Sequence, residues 1–480
     1  MRVSHWIVLF LRRELSCRLF CLKFLDICTS DESNVVIVDE DYTGGVGYLN
    51  VTKFHIEDKE VLPLTCTEPA SDIKIFIPDY MDKTIDRNAV DFLKGTVDLK
   101  IQSRPSQNEN LYYVVAGCNP GQSFNPALEV FAIFEKFREA IPDFSKQMVH
   151  CVLQISEMSC FGAVNQAYCH FFLNDLNRPS RVCIAGKFLN ENQHVSIECL
   201  LDRRKAEKSH IYANSTLFVQ SVSEWAPACI GPYSQATAQE RILRLAGQIA
   251  LIPSNMELII GQDLDNTLTL QTKQCVENIA QVLDGMREAT LEDVFRCLIY
   301  LNAGKIDNLS QAQQTVEQVM NTSGKKMQGK CIHELVSVPD LPRGALVEIH
   351  VFAYMKRLPM DLPEDFDGKH VEVAKPTKVI LSNGNIEANV QSIRIPLSNT
   401  CLTSITLEGS NSNHLDGITT ESLLSIANSP SIVRIFCTDA KSFAILSSKF
   451  TTAICSPYLV SSLVTTTTDN TLAILECESL

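Results

Sequence analysis

Apolar residues run without interruption through Leu111–Ala116 and then recur every three to four positions through Ala127–Ala140. In the second segment Val130, Phe131, Phe134 and Phe137 fall on one face. A short continuous run bounded by polar residues predicts a buried strand, and a period near 3.6 predicts a helix. The alternation continues with a strand at Val149–Ile155 and a helix at Phe161–Phe172. Two closing strands follow at Arg181–Ile184 and Val195–Leu201, so the predicted order is β-α-β-α-β-β. Asp72–Pro78 and Val97–Ser103 read as extra strands and loops ahead of this unit.

The same order recurs downstream, and a repeated unit decides the architecture before any single element does. Leu243–Ile249 reads as a strand, and Val276, Ile279, Leu283 and Met286 mark a helix. Asp293–Leu301 is β-rich, Leu309–Met320 is helical, and Val336 and Ala345–Ala353 supply the closing strands. The tail carries a fainter third copy. Val379–Leu381 stands where the Gln248 strand stands, with helices at Thr419–Ala427 and Phe443–Phe450. Ile432–Cys437 matches the third strand, and Leu459–Leu463 and Thr471–Cys477 match the closing pair. An unrelated β-rich extension is the alternative for this tail. The divisions are an atypical start at 1–28, a short segment at 29–66, and three units at 67–205, 221–356 and 370–480. Charge-rich linkers near Asp202–Ser209 and Lys356–Lys369 separate them, the second also carrying Pro and Gly.

Composition narrows the function classes. Of the 480 residues 45% are hydrophobic and 20% charged, as in an ordinary globular protein. The net charge of −14 argues against nucleic-acid binding, which requires phosphate neutralisation. The 18 cysteines are dispersed, form no CxxC pair and read as reduced, mostly core residues of a cytoplasmic chain. The histidines form no HExxH cluster, so no metal site is expected. Gly44-Gly45-Val46-Gly47 lacks a phosphate-loop lysine and reads as a turn. Trp6–Leu11 is too short to span a membrane and is followed at once by Arg12-Arg13. Leu15, Leu19, Leu22 and Leu25 lie at helical spacing.

Gly231-Pro232-Tyr233-Ser234-Gln235-Ala236 and Ala246-Gly247-Gln248-Ile249 resemble the opening of the RidA/YjgF family. The resemblance implies an α/β (α+β) fold of chorismate mutase-like type, here in tandem, and a pocket between neighbouring subunits of a trimer. It further implies that an arginine on a late strand holds a substrate carboxylate. A following cysteine, the opening tyrosine and a glutamate on the last strand complete the site, which hydrolyses imines and enamines. A guanidinium fork grips a carboxylate bidentately, and a carboxyl group near the imine carbon can orient water.

The copies divide these parts. The first contains Arg181 and Cys183 in Pro179-Ser180-Arg181-Val182-Cys183, and Asn165 and Tyr168 in Val164-Asn165-Gln166-Ala167-Tyr168. Its glutamate position reads Ser196, with Glu198 two residues on. The second contains Tyr233, Ser234, Gly247 and Glu348, while its arginine is either Arg343 or is replaced within Gly329-Lys330-Cys331-Ile332-His333 by Lys330. Two readings follow. Arg181, Cys183 and Glu348 form a composite catalytic set with Tyr233, Ser234, Gly247, Asn165 and Tyr168 as ligand-binding residues, or both copies are degenerate scaffolds.

Two such units in one chain are similar to the C-terminal region of the eukaryotic diphthine–ammonia ligase family. Glu32–Ile37, Gly47–Leu49 and Phe54–Lys59 resemble the segment where that family's ATP domain hands over to the tail. The resemblance implies a role in diphthamide synthesis on translation elongation factor 2, the expected partner. The family's Ser-Gly-Gly-Lys-Asp-Ser loop does not occur in this sequence. No cofactor is therefore expected here, ATP belonging to the family's other domain. A RidA-type deaminase with a composite site and a non-catalytic ligand-binding scaffold remain as alternatives. Three linked copies would close into an internal pseudo-trimer, making the chain a monomer without nucleic-acid or membrane contacts.

Overall fold

In a computed structural model, residues 86–480 are described apart from breaks at 104–109, 173–177, 207–215, 220, 240, 287–288, 324–326, 328–330, 356–371, 374–376, 382–384, 396–399, 428–429, 451–452, 464–470 and 480. Ahead of them lie four strands, β1 (Trp6–Arg13), β2 (Ser16–Lys23), β3 (Asn34–Val38) and β4 (Gly47–Asn50), paired antiparallel in that order. The helical face expected of the leucines is not formed, because Leu19 and Leu22 lie in β2. The stretch Leu19–Leu22 is unbroken rather than periodic, and such a run suits a strand as well as a helix. Leu15 and Leu25, Phe54–Lys59 and Asp72–Pro78 lie outside the described residues.

The first module contains α1 (Arg87–Lys94), β5 (Val97–Ser103), β6 (Leu111–Cys118), α2 (Pro126–Ala140), α3 (Phe144–Gln147), β7 (Met148–Ile155), α4 (Phe161–Phe172), β8 (Ser180–Ala185) and β9 (Val195–Asp202). Asn125 starts α2 by accepting a hydrogen bond from the Ala127 N–H, and Pro126 presets the first helical φ. Phe134 and Phe137 of α2 pack against Phe144, and Phe134 also meets Tyr168 and Phe172 of α4. The sheet order is β5-β6-β9-β7-β8, with β7 and β8 parallel, as the crossover helix α4 allows.

The second module repeats this plan with β10 (Thr216–Leu217), β11 (Ala236–Gln239), β12 (Ile242–Leu245), β13 (Gln248–Ile249), α5 (Leu264–Met286), β14 (Val294–Asn302), α6 (Leu309–Thr322), β15 (Ile332–Val338) and β16 (Val347–Tyr354). Its sheet runs β10-β11-β12-β16-β14-β15. The strand expected over Leu243–Ile249 is broken at Ala246-Gly247 into β12 and β13, both paired to β16.

The third sheet has the same core order. Its elements are β17 (Glu372–Val373), β18 (Thr377–Leu381), β19 (Ile386–Arg394), β20 (Cys401–Gly409), α7 (Thr420–Ala427), β21 (Ile432–Cys437), α8 (Ala440–Ser447), β22 (Ile454–Leu459), β23 (Ser462–Leu463) and β24 (Thr471–Ser479). The order β19-β20-β24-β21-β22 corrects two tail expectations. Val379–Leu381 lies in an outer hairpin with β19, and β20 is the counterpart of the β12–β13 strand. The strand beside β21 is Ile454–Leu459, whereas β23 crosses to pair with β15 of the second module.

Each module has its own core between sheet and helices. The opposite sheet faces pack together around a common axis. Val152 and Val182 of the first module, Leu298 and Val336 of the second, and Phe436 and Ile474 of the third belong to one buried cluster. Separate clusters join the first module to the third and the second to the third. The ends of β8, β15 and β22 close the ring through three backbone bonds: Ala185 N–H to Asp340 O, Lys187 N–H to Leu459 O, and Ser461 N–H to Ser337 O.

Buried charge also joins the modules. Arg434 donates to Glu198 at 2.6 Å, to Glu476 at 2.7 Å and to Glu478 at 3.0 Å. Arg296 reaches Glu476 at 2.7 Å and Arg244 reaches Glu478 at 3.0 Å. Two guanidinium groups of the second module and one of the third thus meet one carboxylate of the first module and two of the third. His150 and His350 stack beside them with ring centres 4.9 Å apart.

Candidate functional site

A cavity opens where β8 of the first module meets the β12–β13 break of the second. Arg181, Cys183 and Phe161 line it from one side, and Tyr233, Gln235, Gly247, Gln248 and Glu348 from the other. Pro227, Ile230, Leu251 and Pro342 add apolar wall. The two modules are fastened at its rim by Gly247 N–H to Arg181 O and Ser234 N–H to Pro179 O.

Arg181 is the dominant group. It is 2% exposed, yet Nε, Nη1 and Nη2 have no hydrogen-bond partner among the described residues. Its guanidinium carbon lies 4.7 Å from the Tyr233 ring centre, 4.8 Å from Tyr168 and 5.7 Å from Phe161. Aromatic faces attract a cation but satisfy none of its N–H donors. A buried charge left in this state is costly, so the site is electrostatically prepared for an anion. Gly231 makes the fit possible, because a Cβ there would stand 2.7 Å from Arg181 Nη2.

Glu348 sits across the cavity on β16. Its Oε2 has no partner among the described residues. Burial raises its pKa to about 8, with Arg181 opposing, so the carboxyl is largely protonated at neutral pH. A Cβ on Gly247 would collide with this carboxyl, which explains why the strand breaks at a glycine. Burial also pushes the Cys183 thiol up to about 12, leaving it a neutral wall rather than a thiolate nucleophile.

Of the residues selected from sequence, Arg181, Cys183, Tyr233, Gly247 and Glu348 meet in this cavity. Tyr168 and Asn165 stand behind Arg181 on α4, and Asn165 Nδ2 donates to Ile230 O at 3.4 Å. Ser234 departs from the ligand-binding expectation. Its hydroxyl donates to Arg178 O at 2.7 Å and the residue is fully buried, so it staples the modules. Arg343 also departs from expectation. It lies in a tight turn with φ 55° and donates to Met256 O. Gln235, Gln248 and Phe161 were not selected, although both glutamines lie inside the motif blocks that located the site.

Strand register shows why the arrangement is unequal around the ring. Cys151 pairs with Cys199 and Arg181, Cys297 with Val351 and His333, and Val433 with Cys477 and Cys455. The position of Arg181 is therefore held by His333 in the second module and Cys455 in the third. Lys330, the substitute considered from sequence, lies outside the described residues. Three residues before the paired Cys199, Val351 and Cys477 stand Ser196, Glu348 and Ile474. Among the described residues, only the cleft between the first and second modules combines the arginine with the glutamate. Among the described residues no cluster of three His, Cys, Asp or Glu side chains could hold a metal. No described helix is long and apolar enough to cross a membrane.

The family model described as Endoribonuclease L-PSP matches residues 223–355. The diphthine–ammonia ligase of Saccharomyces cerevisiae is 29% identical over 281 residues, covering 55% of this chain and 38% of the yeast protein. That of Schizosaccharomyces pombe is 32% identical over 206 residues, covering 42% and 30%. The chain thus spans well under half the length of either ligase. RidA from an Antarctic Psychrobacter is a structural neighbour with 27% identity and a TM-score of 0.24, covering 28% of this chain and 96% of that one. A RutC family protein of Pyrococcus horikoshii is 32% identical over 132 residues, covering 28% of this chain and 94% of that protein. Spanning nearly the whole of that protein at this identity, the chain belongs to the RutC family.

Proposed function

We propose that this chain acts with the diphthine–ammonia ligases it resembles, in diphthamide synthesis on elongation factor 2, and that it carries one RidA-type site for a small imino or enamino carboxylate. The observation carrying the second part is Arg181, buried, caged by aromatic rings and unpaired among the described residues, opposite the buried Glu348 carboxyl whose Oε2 is likewise unpaired there. Arg181 takes the ligand carboxylate bidentately. Glu348 in its protonated form hydrogen-bonds the imine nitrogen, and a water adds its oxygen to the imine carbon. The carbon–nitrogen bond then breaks. Ammonia leaves with the nitrogen and the ketone retains the water oxygen. The sequence similarity to the ligases over 281 residues supports the pathway assignment. The Ser-Gly-Gly-Lys-Asp-Ser loop does not occur in these 480 residues, so on this reading they are expected not to turn over ATP by themselves.

Calorimetric titration with 2-oxobutanoate and butanoate tests the site. Arg181→Ala should abolish binding of both, and unchanged affinity would overturn the assignment. Imine hydrolysis coupled to ammonia detection tests the chemistry, with Glu348→Ala expected to lower the rate at least tenfold. The pathway assignment is tested in cells lacking their own ligase. Restoring diphthamide there should require this chain together with an ATP-binding ligase domain.

A further inference from the structure

Two amides inside the cavity have orientations dictated by backbone carbonyls. Gln235 Nε2 donates to Pro227 O at 2.8 Å, which turns Gln235 Oε1 towards Gln248. Gln248 Nε2 donates to that Oε1 at 2.7 Å and to Ala246 O at 3.1 Å. Both hydrogens of Gln248 are therefore engaged. Flipping its amide would place an oxygen against two acceptors, so the orientation follows from chemistry rather than from choice of atom labels. The remaining atom, Gln248 Oε1, takes part in none of these bonds, and the residue, 2% exposed, lines the cavity. The neighbouring cavity groups offer hydrogens: the Arg181 fork, the protonated Glu348 carboxyl and the Cys183 thiol.

From this arrangement we infer that Gln248 is a specificity-determining residue, whose fixed Oε1 accepts a hydrogen bond from an N–H on the ligand and so separates nitrogen-bearing carboxylates from their ketone counterparts. The inference rests on the Arg181–Glu348 reading of the site. An imine, enamine or amine presents a hydrogen to Oε1. A ketone presents a lone pair, and two facing acceptors repel. The locked amide thus favours the nitrogen compound before hydrolysis and disfavours the ketone after it. A site built to hydrogen-bond one group rejects its analogue strongly, because the buried polar atom is left unpaired.

The full chain tests this with three probes: 2-aminobutanoate, butanoate and 2-oxobutanoate, titrated calorimetrically at pH 7. The wild type should bind 2-aminobutanoate roughly tenfold more tightly than butanoate and 2-oxobutanoate no better than butanoate, as one hydrogen bond to a charged group predicts. Gln248→Leu should reduce the first ratio to about one, as expected once that hydrogen bond is gone. Gln248→Glu, which keeps an acceptor, should retain the preference for the amine and guards against misreading a folding defect in the leucine variant. An unchanged amine preference in Gln248→Leu, with binding still lost in Arg181→Ala, overturns the role of Gln248 and leaves the site standing. Undiminished binding of all probes to Arg181→Ala instead removes the site itself.

Discussion

Arg181 draws its importance from what its environment withholds. Three aromatic faces surround the guanidinium without accepting a single N–H, so an arriving carboxylate meets no competing partner among the described residues. Arg181→Lys should therefore weaken butanoate binding nearly as much as alanine, at least tenfold by titration, because a point charge cannot reproduce the planar fork. Glu348 makes a prediction about pH. Its carboxyl is raised from 4.5 to about 8 in the folded chain, so its contribution to stability is full below 4.5 and is lost as pH rises through 8. The melting temperature of the ligand-free wild type should fall relative to Glu348→Gln between pH 6 and 9. Equal slopes for the two proteins would refute the burial argument. Arg181, Cys183 and Glu348 were legible in the sequence because each stands at a fixed offset within a motif. Gln248 was in plain view yet silent, since its significance lies in which amide hydrogens are used, and only packing reveals that.

At the level of strands and helices, hydrophobic period located most boundaries in the first two modules to within a few residues. It failed where a strand breaks or reverses for a reason outside itself. The β12–β13 interruption falls at Gly247, where a Cβ would run into Glu348, a partner about a hundred positions away. In the tail, Val379–Leu381 and Cys401–Gly409 are both β-prone, and only sheet order tells the outer hairpin from the inner strand. The inner strands also place the axial charges. Burial pushes Glu478 up, but Arg434 and Arg244 outweigh it and hold the carboxyl at about 2. Burial first, then Arg244, Arg296 and Arg434, keep His150 well below the ordinary imidazole range. Both groups are depressed on folding, so their stabilisation is present at neutral pH and is lost in acid, below 6.5 for the imidazole and between 4.5 and 2 for the carboxyl. The urea-unfolding stability of the wild type relative to Glu478→Gln should fall as pH drops from 4.5 towards 2. Arg434→Met strands Glu198, Glu476 and Glu478 without their shared guanidinium and should cost about 3–5 kcal/mol by the same measurement.

For the molecule as a whole, the closed ring leaves no vacant module position for a second copy to fill. Sedimentation should find a monomer, and a stable homotrimer would contradict the ring. Because the arginine and the glutamate meet at one interface among the described residues, a single butanoate should bind per chain in the titration. Three per chain would mean that His333 or Cys455 can replace Arg181, which their chemistry does not support.

The axis has a consequence for heredity. When three identical chains assemble, one codon writes the same change into every interface, and an arginine introduced at the level of Arg434 would set three like charges around one point. Joined in a single reading frame, the level held by Val152, Leu298 and Arg434 carries three different residues, as does the level of His150, Arg296 and Ile432. Each copy is thereby free to drift on its own, provided its neighbours answer. The complementary charges at the axis now prescribe which copy sits beside which, so the order of the modules along the gene has become part of the folding information.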